Sequence, residues 1–506
     1  MATPWWQSAV VYQVYPRSFA DASGDGVGDL RGLAHRLDDL AWLGVDAVWL
    51  SPIFLSPMAD YGYDVADYRE IDPLFGSLAD LDHLLTELHD RGMRLLLDLV
   101  PNHTSSQHLW FLESRSSRDN PRRDWYVWRD PAEDGGPPNN WIAAFTGKPA
   151  WTLDEATGQY YLHCFLPEQP DLNWANPLVE EAMHDVVRFW LDRGIDGFRI
   201  DVVHLIGKDP ELPDDPPDRA GVPHFAINDH PSVHPLLRRL RAVMERYPGD
   251  RVTVGEISLS TRRIAAYYGD HDELHLSFNF PPLLSPWEAD AWRAAIERTV
   301  ESLDAVGAWP TWVIGNHDSV RPRSRYGSDA RARAAAVLVL TLRGTPFLYA
   351  GDELGLEDAV VRGSHVLDPG GRDGCRAPIP WDPEPPHGWD GATPWLPFPP
   401  HAGEKCAVVQ RDDPASTLWL HHDMLALRRG SEALRSGSFA WLDAPDGVLV
   451  YERVADDDRH IVCVSFVSEP REVEAQGTIL VSSVPGRAGE PFDGHLLPDE
   501  AVVLGV

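Results

Sequence analysis

Short apolar runs alternate with longer amphipathic stretches from about residue 10 to residue 425. The runs are rich in Val, Ile and Leu and predict buried β-strands, whereas the stretches between them carry apolar residues at helical spacing and predict helices with one buried face. The clearest helical patterns cover residues 80–91, 179–193 and 235–246. The eight predicted strands are residues 10–15, 47–51, 94–100, 196–200, 251–255, 275–280, 311–314 and 345–349.

A strand followed by a helix, repeated eight times, predicts a closed (β/α)8 TIM barrel of the α/β class. Two regions interrupt the pattern. Residues 104–170 are too many for a strand-to-helix loop and are rich in Trp, Pro, Asp and Asn, so they predict an inserted subdomain after the third strand, over the barrel mouth. Residues 435–506 show short alternating strands and predict a C-terminal antiparallel β-sandwich. The barrel itself is then expected from residues 1–103 and 171–434.

Composition and charge narrow the class of partner. Hydrophobic residues at 43% and charged residues at 24% are typical of a globular protein. The formal net charge of -34 disfavours nucleic acid and anionic membranes, because both would repel this surface. The most apolar helical candidate, residues 334–342, is well short of the ~20 residues that a membrane span needs. We therefore expect the partner to be a small neutral molecule. A monomer or small homo-oligomer is a separate expectation.

The N-terminal residues and the cysteines indicate the cellular location of the protein. The opening residues MATPWWQSAV lack a basic segment followed by a long apolar core, so no secretory signal is expected. The four cysteines, Cys164, Cys375, Cys406 and Cys463, have no close paired spacing. Free thiols in a reduced, cytoplasmic protein fit this spacing better than a disulfide framework or a zinc site.

Three carboxylates follow three of the predicted strands: Asp201 in GFRID, Glu256 in VTVGEI and Asp318 in VIGNHD. Side chains alternate along a strand, so Arg199 projects to the same side as Asp201 and is expected to hold it ionised. Glu256 follows an apolar run, where a carboxyl tends to have a raised pKa and to stay protonated. One ionised and one protonated carboxyl is what the cleavage of a glycosidic bond requires.

A single Arg–Asp pair at a strand end is more often a structural ion pair, so the surrounding motifs decide. These motifs are GVDAVWLSPIF (44–54), DLVPNHTS (98–105), QPDLNW (169–174), GFRIDVVH (197–204), GEI (255–257) and GNHD (315–318). Together and in this order they resemble the α-amylase superfamily, glycoside hydrolase family 13, and within it the bacterial α-glucosidase and oligo-1,6-glucosidase group. The resemblance extends from Trp5 to about Asp382.

The resemblance implies a role for each matching residue. Asp201 is expected to be the nucleophile, Glu256 the general acid and base, and Asp318 the carboxylate that stabilises the transition state. Asp98 is expected to be a structural partner of the site. The substrate-binding candidates are Asp60 and Tyr63 for the terminal glucose, His103 and His317 as donors to sugar hydroxyls, Arg199 as the group that orients Asp201, and Arg325 as a further contact.

The segment DASGDGVGD has the oxygen-rich spacing of a divalent-cation loop, with glycines for the tight turn. Related glucosidases carry a similar loop, usually with Asn where this chain has Ser23. We expect a structural Ca2+ or Mg2+ here and no cofactor for catalysis, although a plain Asp/Gly turn is the alternative. The expected metal ligands are Asp21, Ser23, Asp25, Val27 and Asp29.

The implied activity is that of a retaining, exo-acting α-glucosidase that releases terminal α-glucose from short oligosaccharides or α-glucosides through a covalent glucosyl-enzyme, with transglucosylation. The segments SRYG and RDGCRAPIPWD (372–382) resemble members with a closed pocket. Val202 resembles the oligo-1,6-glucosidases, but His204 departs from the Asn common among them. Water, a sugar or phosphate can intercept the same intermediate, so an oligo-1,6-glucosidase and a sucrose- or trehalose-type glucosyl transferase or isomerase stay open as alternatives.

Two other protein classes fit less well. Non-catalytic relatives that use the barrel as a binding module usually lose members of the carboxylate set and carry a membrane anchor, whereas this chain has Asp201, Glu256 and Asp318. A metal hydrolase would need a ligand motif such as HExxH, which the sequence does not contain.

Overall fold

The computed structural model describes residues 3–223 and 227–506; the remaining residues, 1–2 and 224–226, belong to the predicted barrel segments and lie outside the described part. All eight predicted strands form one parallel sheet, in the order sixth, fifth, fourth, third, second, first, eighth, seventh. The barrel prediction is confirmed. The eight barrel strands are Val11–Val14, Ala47–Leu50, Arg94–Leu99, Gly197–Ile200, Val252–Gly255, Leu276–Ser277, Thr311–Val313 and Thr345–Tyr349.

The sixth barrel strand is much shorter than the predicted residues 275–280, since a helix begins at Phe280 with two prolines directly after it. Proline lacks the N–H that a strand ladder needs and is tolerated in the first turn of a helix. The sixth and seventh strands are joined at the seam of the barrel by a side chain: Thr311 Oγ1 donates to the Ser277 carbonyl over 2.7 Å. Because this carbonyl is buried, it needs a hydrogen-bond donor, and the Thr311 hydroxyl supplies the hydrogen bond that the backbone of a neighbouring strand would otherwise donate.

The strands alternate their side chains between the barrel interior and the helices outside. On the fourth strand, Phe198 and Ile200 belong to the large core that the helices cover, whereas Arg199 projects inward beside Trp49 of the second strand. The interior otherwise holds apolar side chains such as Val254 and Phe347. Arg199 is therefore a cation held among interior apolar side chains.

The three helices predicted most clearly are present as Leu78–Asp90, Pro177–Asp192 and Val233–Met244, each beginning two residues earlier than expected. Ser77 and Asp80 form a capping box at the first of them, and Pro177 occupies the first turn of the second. The other α-helices are Trp5–Ser8, Leu30–His35, Leu37–Leu43, Leu109–Ser116, Thr261–Ile264, Phe280–Leu283, Ala289–Asp304, Pro322–Tyr326, Asp329–Thr341, Ala407–Asp412, Thr417–Gly430 and Glu432–Ser436, and 3-10 turns cover Pro16–Ser18, Arg123–Trp125, Val203–Leu205, Ala265–Tyr268 and Gly363–His365.

The segment predicted as an inserted subdomain contains a three-stranded antiparallel sheet of Trp128–Arg129, Gln159–Leu162 and Trp151–Asp154, in that order. Its ends meet the barrel through a β-bridge between His103 and Asp171. A separate hairpin of Phe54–Leu55 and Asp67–Ile71 follows the second barrel strand. The insertion therefore starts and returns beside the third barrel strand.

The C-terminal region forms a five-stranded antiparallel sheet and a two-stranded sheet, and the predicted boundary at residue 435 falls inside the helix Glu432–Ser436. One face of the larger sheet packs on the barrel helix Asp329–Thr341, where the hydroxyls of Thr341 and Tyr451 lie 2.5 Å apart. The opposite face shares a core with the smaller sheet. The strands are Ser438–Trp441, Val448–Ala455, Asp458–Ser465, Thr478–Ser482 and Ala501–Gly505 in the larger sheet and Arg471–Glu472 and His495–Leu496 in the smaller.

Within residues 3–223 and 227–506, every helix is too short or too polar to cross a membrane. All four cysteine thiols are buried, and none of them forms a disulfide.

The seam contact yields a stability prediction. The nearly isosteric Thr311→Val removes the hydroxyl and leaves the Ser277 carbonyl without that donor, so the free energy of unfolding should fall by about 1–3 kcal/mol in urea titrations. Thr86→Val is the matched control, because the Thr86 hydroxyl donates to the Asp82 carbonyl on the exposed face of the helix Leu78–Asp90 and its loss should change stability by less than about 0.5 kcal/mol. Equal stability of wild type and Thr311→Val would show that the hydroxyl does not hold the seam.

Candidate active site

The Arg199 guanidinium is the centre of the site. Its Nη1 atom donates to Asp98 Oδ1 and to Asp201 Oδ1, each over 2.7 Å, and its Nη2 atom donates to Glu256 Oε2 over 2.5 Å. Asp98 and Arg199 lie opposite each other on the third and fourth barrel strands. Asp201 and Glu256 follow the ends of the fourth and fifth strands. Three adjacent strands thus bring three carboxyls onto one cation.

Burial and crowding decide the protonation of this cluster. Burial, with a smaller contribution from the nearby Glu256, raises the pKa of Asp98 to about 7, although the bond from Arg199 opposes this shift. Burial also raises the pKa of Asp201 well above its usual range, with Glu256 and Asp98 adding to the effect and Arg199 opposing it. Arg199 was expected to hold Asp201 ionised, but the pKa of Asp201 is shifted in the opposite direction, because one positive charge is shared by three carboxyls. Titration therefore belongs to the cluster and not to one residue.

A chain of hydrogen bonds runs from Gln13 through His317 and the Tyr63 hydroxyl to Asp98 of this cluster. Gln13 Nε2 lies 2.7 Å from His317 Nδ1, and His317 Nε2 lies 2.6 Å from the Tyr63 hydroxyl. The hydroxyl then donates to Asp98 Oδ2 over 3.1 Å. A neutral imidazole that accepts from Gln13 and donates to Tyr63 satisfies every link. The ring planes of His317 and Tyr63 are 7° apart and their centroids are 5.5 Å apart, so His317 fixes the orientation of the Tyr63 ring through its hydroxyl.

Gln169, near the end of the inserted segment, links Asp60 and His103 at one side of the site. Gln169 Nε2 donates to Asp60 Oδ2 over 3.1 Å and lies 3.1 Å from His103 Nε2. Burial raises the pKa of Asp60, and the adjacent Arg372 opposes that shift. The QPDLNW motif thus supplies a contact that ties Asp60 and His103 together.

Two arginines from the loop after the eighth strand hold Asp318. Arg372 Nη1 and Arg376 Nη2 each donate to Asp318 Oδ1 over 2.9 Å, and Arg372 Nη2 also donates to Asp60 over 2.8 Å. Burial alone would raise the pKa of Asp318, but His317 and the two guanidiniums outweigh it, and the pKa lies below its usual range. Asp318 therefore stays ionised and, with a side chain 30% exposed, faces solvent.

These groups surround a cavity of about 430 Å³. Asp60, Tyr63 and His103 are almost fully buried, whereas Phe145 at the rim is 40% exposed. The volume and the mixture of apolar walls with a few polar groups are typical of a small-molecule site. The cavity is lined by Asp60, Tyr63, His103, Phe145, Phe165, Asp201, Val202, His204, Leu205, Glu256, Ser258, Asp318, Gly370 and Arg372.

Val202 has an unusual backbone. Its φ of 33° lies in the left-handed region, which β-branched residues rarely adopt, and its N–H donates to Glu256 Oε2 over 3.2 Å. Such strain is characteristic of functional sites, where the surrounding structure maintains it. The turn points the Val202 side chain into the cavity wall directly after Asp201.

The structure gathers most of the predicted site residues but not all of them. His317 lies behind Tyr63 and does not line the cavity. Arg325 is placed elsewhere: its guanidinium donates to the carbonyls of Ile314 and Val320. The arginine that lines the cavity is Arg372. Sequence reasoning missed the roles of Gln169, Arg372, Arg376, Phe145 and Phe165, although the QPDLNW and RDGCRAPIPWD segments contain the first three.

The predicted metal loop is held by its own hydrogen bonds. Asp21 accepts the N–H groups of Gly24 and Gly26, and Asp29 accepts those of Ala22 and Ser23 and caps the helix Leu30–His35. In the described part of the chain, no three His, Cys, Asp or Glu side chains are grouped as metal ligands. The carboxylates of Asp21 and Asp29 thus accept backbone N–H groups, and the metal stays a prediction from spacing alone.

A lysine occupies an oxygen-lined position between the barrel and the insertion. Lys208 Nζ donates to Asn102 Oδ1 and the Leu205 carbonyl, each over 2.9 Å, and lies 3.1 Å from Asp171 Oδ2. Its ammonium joins the loops after the third and fourth strands to the returning end of the insertion. This charge fixes one wall of the site relative to Asp201.

Comparisons with known proteins agree with this geometry. A family model described as Alpha amylase, catalytic domain, matches residues 13–437. A probable α-glucosidase of Rhizobium meliloti (strain 1021) is 40% identical over 97% of this chain and 93% of its own length. An oligo-1,6-glucosidase of Halalkalibacterium halodurans is 37% identical over 95% of this chain and 94% of its own. The solved structure of the α-glucosyl transfer enzyme XgtA superposes with a TM-score of 0.93 at 41% identity, covering 100% of both chains. That of the trehalulose synthase MutB from Pseudomonas mesoacidophila MX-45 does so with a TM-score of 0.92 at 35% identity, again over 100% of both.

The buried His317 predicts a pH dependence of stability. Burial, with Arg376 nearby, lowers its pKa to about 3, whereas an unfolded histidine titrates near 6.5. The unfolded state therefore binds the proton first, and stability should fall by up to about 1.4 kcal/mol per pH unit as pH drops from about 6.5 towards about 3. In urea titrations His317→Gln should lack this component, so its deficit relative to wild type should shrink as pH falls. The exposed-histidine variant His83→Gln should keep the wild-type slope; a constant His317→Gln deficit from pH 7 to pH 4.5 would contradict the assignment.

Proposed function

Because this chain belongs to glycoside hydrolase family 13, the α-amylase family, we propose that it is a retaining, exo-acting α-glucosidase. It releases terminal α-glucose from short oligosaccharides or α-glucosides and passes through a covalent glucosyl-enzyme. The observation that carries the proposal is the Arg199 contact, which sets Asp201 and Glu256 on adjacent nitrogens of one guanidinium at the C-terminal ends of neighbouring strands.

In the first step, Asp201 attacks the anomeric carbon while Glu256 protonates the departing oxygen. This step requires that Glu256 carries the proton of the cluster. The Glu256 side chain is 15% exposed, against 9% for Asp201, and is therefore better placed than Asp201 to meet a leaving group. Arg199 and the Val202 N–H hold Glu256 in position. Asp201 then bonds to the sugar and no longer competes for the guanidinium, which relieves the crowding among the carboxyls.

In the second step, Glu256 takes a proton from water, and the resulting hydroxide equivalent displaces Asp201 from the anomeric carbon. Two inversions restore the α configuration. Asp318, ionised beside its two arginines, places negative charge next to the sugar cation that develops in both transition states. Tyr63, held flat by His317, presents a ring face to the apolar side of the sugar.

Exo-action is supported by the closed side of the cavity. The ion pair between Asp60 and Arg372 spans 2.8 Å, and Gln169 bonds to the same carboxylate. A polysaccharide cannot pass through this contact, so only a chain end can enter and bind with its terminal glucose against Asp60. The open side then receives the rest of the substrate.

Transfer of glucose to another sugar is the second candidate, favoured by the apolar rim. Phe145, Phe165 and Leu205 line the cavity and offer surfaces on which an acceptor sugar can lie in place of water. The relatives named as an α-glucosyl transfer enzyme and a trehalulose synthase cover the whole chain. Hydrolysis with transglucosylation is therefore our proposal, with α-1,6 cleavage and sucrose- or trehalose-type transfer or isomerisation as alternatives.

Three further features are proposed on sequence grounds. A cytoplasmic location is supported by four buried thiols that form no disulfide. We also propose that the protein is a monomer or a small homo-oligomer. A structural Ca2+ or Mg2+ at Asp21 to Asp29 is supported only by the spacing of the oxygens.

Product profiles test the exo-acting proposal. The enzyme should convert maltotriose to glucose and maltose and should release glucose from soluble starch only slowly, without shortening internal chains. Initial rates on maltose, isomaltose, sucrose, trehalose and an aryl α-glucoside, with transfer products recorded, then define the linkage. Rapid loss of starch–iodine colour with little glucose would contradict exo-action, and faster cleavage of isomaltose than of maltose would favour the 1,6 alternative.

Replacement of Asp201 tests the mechanism. Asp201→Asn keeps the shape of the side chain but removes the nucleophile, so kcat on an aryl α-glucoside should fall by more than about 10³-fold. In Asp201→Gly, added azide should restore turnover and give the β-glucosyl azide, because the small anion takes the place of the missing carboxylate. Undiminished turnover of Asp201→Asn, or an α-configured azide product, would overturn the assignment.

A further inference from the structure

Asp368 is a buried carboxylate that lies next to the site without lining it. It belongs to the loop that follows the eighth barrel strand, and only 1% of its side chain is exposed. A compact turn presents it: the backbone N–H groups of Leu367 and Asp368 donate to the Asp373 carboxylate, and the Gly371 N–H donates to the Asp368 carbonyl. Its backbone is therefore fixed before any substrate contact is considered.

Both oxygens of Asp368 are used to hold arginines. Oδ2 accepts from Arg372 Nε over 2.8 Å and from the Arg372 backbone N–H over 2.7 Å, while Oδ1 accepts from Arg372 Nη2 over 2.6 Å. Arg376 Nη1 also donates to Oδ1, over 3.3 Å. Such paired bonds fix the plane of a guanidinium as well as its distance. Burial alone would raise the pKa of Asp368, but the two arginines keep it below its usual value.

The two arginines also contact the groups that face the sugar, and Arg372 Nη2 donates to Asp60 as well as to Asp368. Arg372 reaches Asp60 and Asp318, and Arg376 reaches Asp318 and the His317 carbonyl over 2.7 Å. Three carboxylates thus share two guanidiniums. Asp368 is the one of the three that does not line the cavity, and it holds Arg372 through three hydrogen bonds. It therefore sets where the guanidiniums lie, and they in turn set where Asp60 and Asp318 lie.

We propose that Asp368 is a positioning residue for the recognition of the terminal sugar, acting through Arg372 and Arg376 on Asp60 and Asp318. The inference rests on the proposed α-glucosidase function. It assigns Asp368 no contact with substrate and no proton transfer. Its effect is on the fit between the carboxylates and the hydroxyl groups of the sugar in the transition state.

The expected consequence is a loss of hydroxyl recognition. In Asp368→Asn one carboxylate oxygen becomes the amide carbonyl oxygen, which still accepts, and the other becomes an NH2 group. The NH2 group presents hydrogen-bond donors to a guanidinium that can itself only donate. Arg372 is then held mainly by Asp60 and Asp318 and shifts relative to them. Because a misplacement of about 1 Å can cost about 100-fold in rate, kcat/KM should fall by about 10- to 100-fold.

The test compares 4-nitrophenyl α-glucoside with its 2-deoxy and 4-deoxy analogues. In wild type each missing hydroxyl should lower kcat/KM. In Asp368→Asn this penalty should shrink at least fivefold for one analogue or both, because the carboxylates no longer meet the hydroxyl correctly, while Asp368→Glu should restore part of the parent rate. A general loss of stability would lower every rate alike and leave the penalties unchanged.

Asp196→Asn is the matched control. Asp196 is also a buried aspartate that accepts from two arginines, Arg94 over 3.1 Å and Arg251 over 2.8 Å, but it lies directly before the fourth strand, at the opposite end of the barrel. Its variant should lose thermal stability and keep the wild-type penalties. Wild-type penalties in a folded Asp368→Asn would overturn the inference, as would shrunken penalties in both variants. Wild type without activity on the parent glucoside would instead overturn the proposed function.

Discussion

The site depends on one buried guanidinium. Arg199 lies in the barrel interior, 2% exposed, and is the cation that Asp98, Asp201 and Glu256 all contact. A buried charge is costly unless it is paired, and three carboxyls that crowd around one buried charge cannot all be ionised at low cost. The arrangement therefore keeps a proton within the cluster near neutral pH. Double displacement needs one protonated and one ionised carboxyl, so the same electrostatic constraint that holds the strand ends together also prepares the chemistry.

The barrel makes this constraint possible because parallel strands end at the same edge. Asp98, Asp201 and Glu256 come from three adjacent strands, and Asp318 follows the seventh. The interior below them is filled with apolar side chains, which exclude water and strengthen every charge contact above. The strained turn at Val202 is tolerated in this setting, since the strand before it and the contacts of Glu256 fix its backbone from both sides.

A second electrostatic layer closes the cavity from the opposite side. Arg372 and Arg376 balance Asp60, Asp318 and Asp368, and this layer shares no residue with the Arg199 cluster. The first layer breaks the bond, whereas the second recognises the sugar. Such a separation allows loops after the eighth strand and within the insertion to vary substrate and acceptor without disturbing the carboxyl pair. It is consistent with relatives that are named as a glucosidase, a glucosyl transfer enzyme and a trehalulose synthase.

Local sequence patterns were enough to locate the helices and strands and to relate residues that lie close together along the chain. Strand alternation put Arg199 beside Asp201, and the repeated strand–helix pattern located all eight strands, with the largest error at residues 275–280, where prolines begin a helix. The motifs likewise named the three carboxylates. The folded chain was needed to show that Asp98 and Asp201 contact Arg199 at the same distance, that His317 bonds to the Tyr63 hydroxyl, and that Arg372 and not Arg325 reaches the cavity. The reason is physical: these contacts join residues about 100 to 300 positions apart, as Arg199 to Asp98 and Arg372 to Asp60 show, and no local periodicity encodes where long loops return.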